Sequence, residues 1–198
     1  MTMKIKSIGI LLFDEVELLD FAGPLEVFGA ANYLKDNALY TIHTVAAQQK
    51  VKTSKSLLQV TVDHILSHQY YDLFIIPGGY GSRSIVIDQE RLRIIDDTIS
   101  HAKITASVCT GALILAALGH LKDKTVCSHH LSFGLLKSLD PTVQILKDHR
   151  YADHNEIITS AGVSAGIDMS FHLLSRYFGK LLSDQTRKYI EYYPEPIR

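Results

Sequence analysis

Residues 104–113 read Ile104-Thr105-Ala106-Ser107-Val108-Cys109-Thr110-Gly111-Ala112-Leu113. The first five are apolar, small or β-branched and suit a strand buried on both faces. The residues from Ala112 to Leu118 are apolar helix formers closed by Gly119, a common residue just past a helix end. Between them lies a turn of three residues with a cysteine at its tip. Strand, sharp turn and helix form the context of a nucleophile elbow. Ser107-Val108-Cys109-Thr110-Gly111 has its spacing, with Ser107 in place of the first glycine of G-x-S-x-G. Cys109 then sits at a helix N-terminus, where the dipole is expected to lower its pKa and favour the thiolate. A small, inert core cysteine fits the same position.

Outward from this stretch, strand and helix patterns alternate. Residues 8–13, 40–46 and 73–76 read as strands, and 51–53 with 57–62 as a hairpin. Residues 91–102 carry Leu92, Ile95 and Ile99 on one helical face. Pro24 is read as the first turn of a helix over 24–34, preceded by a loop over 14–23. Residues 124–127 read as a short strand, 131–139 as a helix, and 151–160 as a hairpin turning at His154-Asn155. Helices follow over 167–178 and 184–190. The pattern predicts one α/β domain spanning 1–198, with a doubly wound, mostly parallel sheet and helices on both faces. Ligands in such sheets bind at the carboxyl ends of the strands.

The 198 residues are 46% apolar, enough for one compact core. Twenty basic and 21 acidic residues leave a net charge of -1, which gives no general attraction to nucleic acid or anionic membranes. No stretch approaches the roughly 20 apolar residues of a membrane span, and residues 8–13 read as a strand rather than a signal peptide. A cytoplasmic location is expected. Two cysteines are too few for a disulfide framework or a cysteine-rich zinc site, and Cys127 reads as structural. His64 and His68 share i,i+4 spacing but have no third ligand, so no metal and no cofactor are expected.

Four further positions carry candidate chemistry. Gly78 and Gly79 end the strand at Ile75-Ile76-Pro77, where a backbone N–H can approach an anion. With the Thr110 N–H they make a candidate oxyanion hole or an ordinary turn. Asp20 lies among apolar residues in Leu18-Leu19-Asp20-Phe21-Ala22-Gly23-Pro24. It serves either as a helix cap or as a carboxyl of raised pKa facing the thiol. His129, in Cys127-Ser128-His129-His130, is a candidate partner of Cys109, or one bystander among ten histidines.

Together these pieces resemble the DJ-1/PfpI superfamily. The likeness rests on residues 12–13 and 20–28, on Ile76-Pro77-Gly78-Gly79, on Ser107-Val108-Cys109-Thr110-Gly111-Ala112, on Ser128-His129 and on residues 161–168, in family order. It implies a flavodoxin-like sandwich, the cysteine on the elbow, and a homodimer. Within the superfamily the chain looks most like the isocyanide hydratase subgroup. Asp20 in Leu-Asp-x-x-Gly-Pro, the Val-Cys-Thr-Gly run and the tail from Glu191 to Pro196 carry that likeness. It implies Cys109 as nucleophile, Asp20 as acid/base and Thr110 as a residue needed for turnover. The small-molecule substrate would be an isocyanide, hydrated to an N-substituted formamide through a thioimidate on Cys109. The chain departs from the subgroup at His130, where tryptophan is common, and at Val163 and Ser164.

Other activities of the superfamily remain open, of glyoxalase or amidase type, as does a redox sensor using Cys109. The same blocks also open AraC-type transcription regulators, in which the domain senses a ligand and DNA-binding helices follow. No basic stripe replaces those helices here, so nucleic acid is an expected partner only if the chain is a fragment of a regulator.

Overall fold

The computed structural model describes residues 4–193 except 37 and 68. The elements, in chain order, are β1 (Ser7–Leu11), α1 (Leu18–Tyr33), β2 (Thr41–Ala46), β3 (Lys50–Lys52), β4 (Gln59–Thr61), β5 (His64–Ile65), β6 (Leu73–Ile76), α2 (Ser82–Ile85), α3 (Gln89–His101), β7 (Ile104–Val108), α4 (Gly111–Ala117), β8 (Thr125–Val126), α5 (Phe133–Leu139), β9 (Gln144–Ile145), β10 (Tyr151–His154), β11 (Ile157–Ser160), α6 (Ala165–Phe178) and α7 (Lys180–Tyr189).

Seven strands form one sheet in the order β10-β11-β7-β6-β1-β2-β5. Every pairing is parallel except β10 with β11. This is the doubly wound, mostly parallel sheet the alternation implied, in the flavodoxin-like form the resemblance implied. The central strands are buried on both faces: β6 and β7 have no exposed residue. That accounts for their unbroken apolar runs. The hairpins over β3–β4 and β10–β11 form as expected.

One boundary differs from the sequence reading. Helix α1 begins at Leu18, not at Pro24, and Pro24 lies inside it. Proline removes one N–H and normally ends or bends a helix. Here the buried positions Asp20, Gly23, Pro24, Val27, Phe28 and Ala31 repeat at helical spacing, so one continuous face packs inward across the proline. That face meets α6, and a Cβ on Gly23 would come within 2.8 Å of the Ile167 side chain. Asp20 is therefore part of a buried helix face rather than of a loop.

Three short elements, β5, α2 and β9, carry too few residues for any periodicity to show. The expected helix over 131–139 divides into a 3-10 turn at His130–Ser132 and α5. No described helix is long and apolar enough to cross a membrane.

Candidate active site

The tip of the elbow follows β7. Cys109 has φ +59, a left-handed conformation that is uncommon for residues other than glycine. The strain is held by the surroundings. The Cys109 N–H donates to the carbonyls of Ser160 and Ala161, both at 3.2 Å, and the Ser128 hydroxyl donates to the Cys109 carbonyl at 2.8 Å. Ser128 in turn pairs with Ser132 at 3.0 Å. Gly111 permits the turn, because a Cβ there would lie 2.1 Å from the Ile76 carbonyl oxygen. The small residue at the elbow's second end thus serves the close approach of α4 to β6.

Asp20 reaches the elbow from α1 and is fully buried. Its Oδ2 accepts from the Gly78 N–H at 2.9 Å. Its Oδ1 has no hydrogen-bond partner among the described residues. The Cys109 thiol lies beside the carboxyl and interacts with it. Burial pushes the Asp20 pKa up from 3.8 to about 7, and the Gly78 N–H and the thiol only partly oppose this. The residue caps nothing: the residue before α1 is Glu17, and the carboxyl bonds a chain segment 58 residues away.

The thiol departs from expectation. Helix α4 and neighbouring N–H groups do favour the thiolate, through donors on Thr110 and Val163. Burial and the adjacent Asp20 outweigh them, and the Cys109 pKa is pushed up to about 12. At rest the pair therefore holds a protonated thiol beside a carboxyl that titrates near neutrality. The two groups can exchange a proton when the sulfur forms a bond.

Gly78 and Gly79 sit where the sequence placed them, at the end of β6, but their N–H groups have other acceptors. That of Gly78 goes to Asp20, and that of Gly79 donates to the Thr110 hydroxyl at 2.9 Å. The same hydroxyl donates to the Gly79 carbonyl at 3.0 Å. The glycines hold the acid and the elbow in place instead of presenting an oxyanion hole. A Cβ on Gly78 would come within 2.5 Å of the Thr110 nitrogen and 2.9 Å of Asp20 Oδ2. The donors directed at sulfur are those of Thr110 and Val163.

His129 lines the same pocket as Cys109 but makes no hydrogen bond with it among the described residues. Its Nδ1 accepts from the Leu131 N–H at 3.2 Å, and its ring stacks on His130 and packs over Gly162. Burial lowers its pKa, so the neutral ring is favoured. The ionisable side chain beside the thiol is Asp20.

The pocket, of about 400 Å³, opens above Cys109. Its mouth carries groups that the sequence reading did not single out. Lys55 and Glu17 pair across it at 2.9 Å, and Arg83 lies over the Tyr80 ring at 5.3 Å. Val163 also lines it, with φ +50. A β-branched residue in that region is an outlier, and no local residue pattern foretells it. Cys127 is buried elsewhere, its thiol 3.6 Å from the His149 carbonyl. Among the described residues no group of three or more His, Cys, Asp or Glu could hold a metal, and His68 lies outside those residues.

A DJ-1/PfpI sequence profile matches residues 6–176. The chain belongs to the DJ-1/PfpI family. Within reach of it lies the isonitrile hydratase of Pseudomonas putida, 30% identical over 191 residues, covering 96% of this chain and 80% of that one. The transcriptional regulator GbdR of Pseudomonas aeruginosa is 29% identical over 179 residues. This chain spans only about half of that regulator, 48% of its length. Among solved DJ-1/PfpI structures, a ThiJ/PfpI protein from Pseudomonas syringae superposes with a TM-score of 0.83 at 26% identity, covering 99% of this chain and 78% of that one. An AraC family regulator from Pseudomonas putida superposes at 0.81 with 17% identity, covering 93% and 99%, which shows a shared fold.

Proposed function

We propose that this DJ-1/PfpI protein is a cysteine-dependent hydratase of isonitriles, that is, of organic isocyanides. The observation that carries the reading is the buried Asp20 carboxyl, raised to about 7, beside the elbow thiol at the floor of an open pocket. The relationship to a named isonitrile hydratase over nearly the whole chain supports it.

In the first step the Cys109 sulfur bonds to the terminal carbon of R–N≡C. The thiol proton passes to Asp20 and from there to the same carbon, giving the thioimidate R–N=CH–S. In the second step water adds to that carbon, with Asp20 taking one of its protons and passing it to the nitrogen. The carbon–sulfur bond then breaks, sulfur recovers a proton, and R–NH–CHO leaves. Atoms balance: one isonitrile and one water give one formamide. A group titrating near the working pH suits both directions of this transfer. Thr110 keeps Gly79, and so the carboxyl's anchor, against the elbow. His129 forms pocket wall.

The test is conversion of an alkyl and an aryl isocyanide to their formamides by the purified protein. Turnover lost in Cys109→Ala is the expected result, and no turnover of either substrate overturns the reading. A second reading, a non-catalytic ligand-sensing domain, is favoured by the regulator relatives and by their fold. It is the outcome if the pocket binds small molecules without converting them. We further propose a homodimer.

A further inference from the structure

A second cavity lies apart from Cys109, where the ends of β1 and β2 meet α2 and α3. Its volume is about 160 Å³. Phe13, Val51, Leu66, Ile85 and Ile95 wall it, and all five are buried. Ala46, the last residue of β2, also lines it. The mouth is polar. Gln48 and Arg91 line it: the Gln48 amide donates to Asp14 Oδ2 at 2.6 Å, and Arg91 pairs with Asp88 at 3.1 Å. Both carboxylates already have partners, so no bare charge faces the interior. The two cavities share a partition: Ile85 of α2 faces this one, while Arg83 of the same helix faces the pocket of Cys109.

A well-packed core rarely leaves a void larger than a water molecule. An apolar void of about 150 Å³ lined by Leu, Ile and Phe stays dry and takes up benzene or xenon. This cavity has that size, and its five buried wall residues are of that kind, while Asp14, Gln48 and Arg91 line it as well. We infer that it is a second binding site for one compact, uncharged apolar group of about six heavy atoms, the size of a benzene ring.

Benzene itself is the probe. Methyl-labelled protein titrated with benzene should show saturable shifts at Val51, Leu66, Ile85 and Ile95. Methyl groups of Leu131 and Val163, at the pocket of Cys109, should stay unmoved. Ala46→Leu should fill the cavity and abolish the shifts. Leu66→Phe, nearer the surface, fills it from the other side and serves if Ala46→Leu does not fold. Shifts absent in the parent protein, or persisting in a folded filled variant, overturn the inference. So do shifts that appear only at Leu131 and Val163.

Discussion

The Asp20–Cys109 pair sets most of what can be tested at single residues. Asparagine at position 20 can still accept from the Gly78 N–H but cannot carry the proton. Turnover of an isocyanide by Asp20→Asn should fall by roughly 100- to 10,000-fold, the usual contribution of a general acid or base. In the parent, kcat/KM should rise with pH through about 7, because the thiol needs the carboxylate as acceptor. That rise should vanish in the variant. A variant as active as the parent would exclude the relay through Asp20. The same pKa has a consequence for stability. The folded chain binds a proton that the unfolded chain releases above 3.8, so this contribution is complete below 3.8 and is lost as pH climbs to about 7. Asp20→Asn should therefore melt higher than the parent at about pH 8, by an amount on the order of 1–4 kcal/mol, and the gap should close in acid. Calorimetry at the two pH values measures it. Labelling distinguishes the thiols. Iodoacetamide should modify Cys109 before Cys127, because only Cys109 opens on the pocket. It should do so slowly at neutral pH, because burial holds the thiol protonated. Peptide mass spectrometry reads the order, and Cys127 first would contradict it.

At the level of elements, the elbow depends on the approach of α4 to β6. Gly111→Ala places a methyl group against the Ile76 carbonyl and should destabilise the chain by roughly 1–3 kcal/mol, the overpacking range, measured by urea unfolding. The turn between β3 and β4 offers the opposite case. Leu57 has φ +53 and is 71% exposed. Leu57→Gly should stabilise by about 1 kcal/mol, since glycine adopts this conformation without the side-chain clash. A drop in melting temperature would count against it. These elements also mark where the residues could and could not be read. The elbow was legible from Ser107 to Gly111 because local spacing specifies it. The start of α1 was not, because Pro24 carries a strong local signal for a helix start and only long-range packing overrides it. For the same reason a cap reading of Asp20 stood beside its reading as a carboxyl facing the thiol. The roles of Gly78 and Gly79 were half legible. Their position followed from the strand, but the acceptors of their N–H groups are Asp20 on α1 and Thr110 in the elbow turn. The Lys55–Glu17 pair and the Val163 donor join segments far apart in sequence, and no local pattern announces them.

For the whole molecule, the alternation of strands and helices specified the doubly wound sheet, and buried runs such as residues 73–76 and 104–108 specified its centre. Light scattering should return about twice the 22.1 kDa chain mass, and a monomer at micromolar concentration would dismiss the proposed dimer. The sheet also has a consequence for how such a site is inherited. Gly78, which anchors the acid, follows β6, and Cys109 follows β7. The two strands are neighbours in parallel register, with Ile76 opposite Ser107. The spacing between Gly78, the anchor of the Asp20 carboxyl, and Cys109 is thus set by neighbouring strands of the sheet. Glu17, Lys55, Arg83 and Leu131, by contrast, reach the pocket mouth from the residue before α1, the β3–β4 turn, α2 and a 3-10 turn. Substitutions at the mouth can redirect what is recognised while the relay stays intact. On the proposed function, the converse change, silencing Cys109 or Asp20, should leave a pocket that still binds. On the proposed function, a single replacement on this frame should separate conversion of a ligand from its binding.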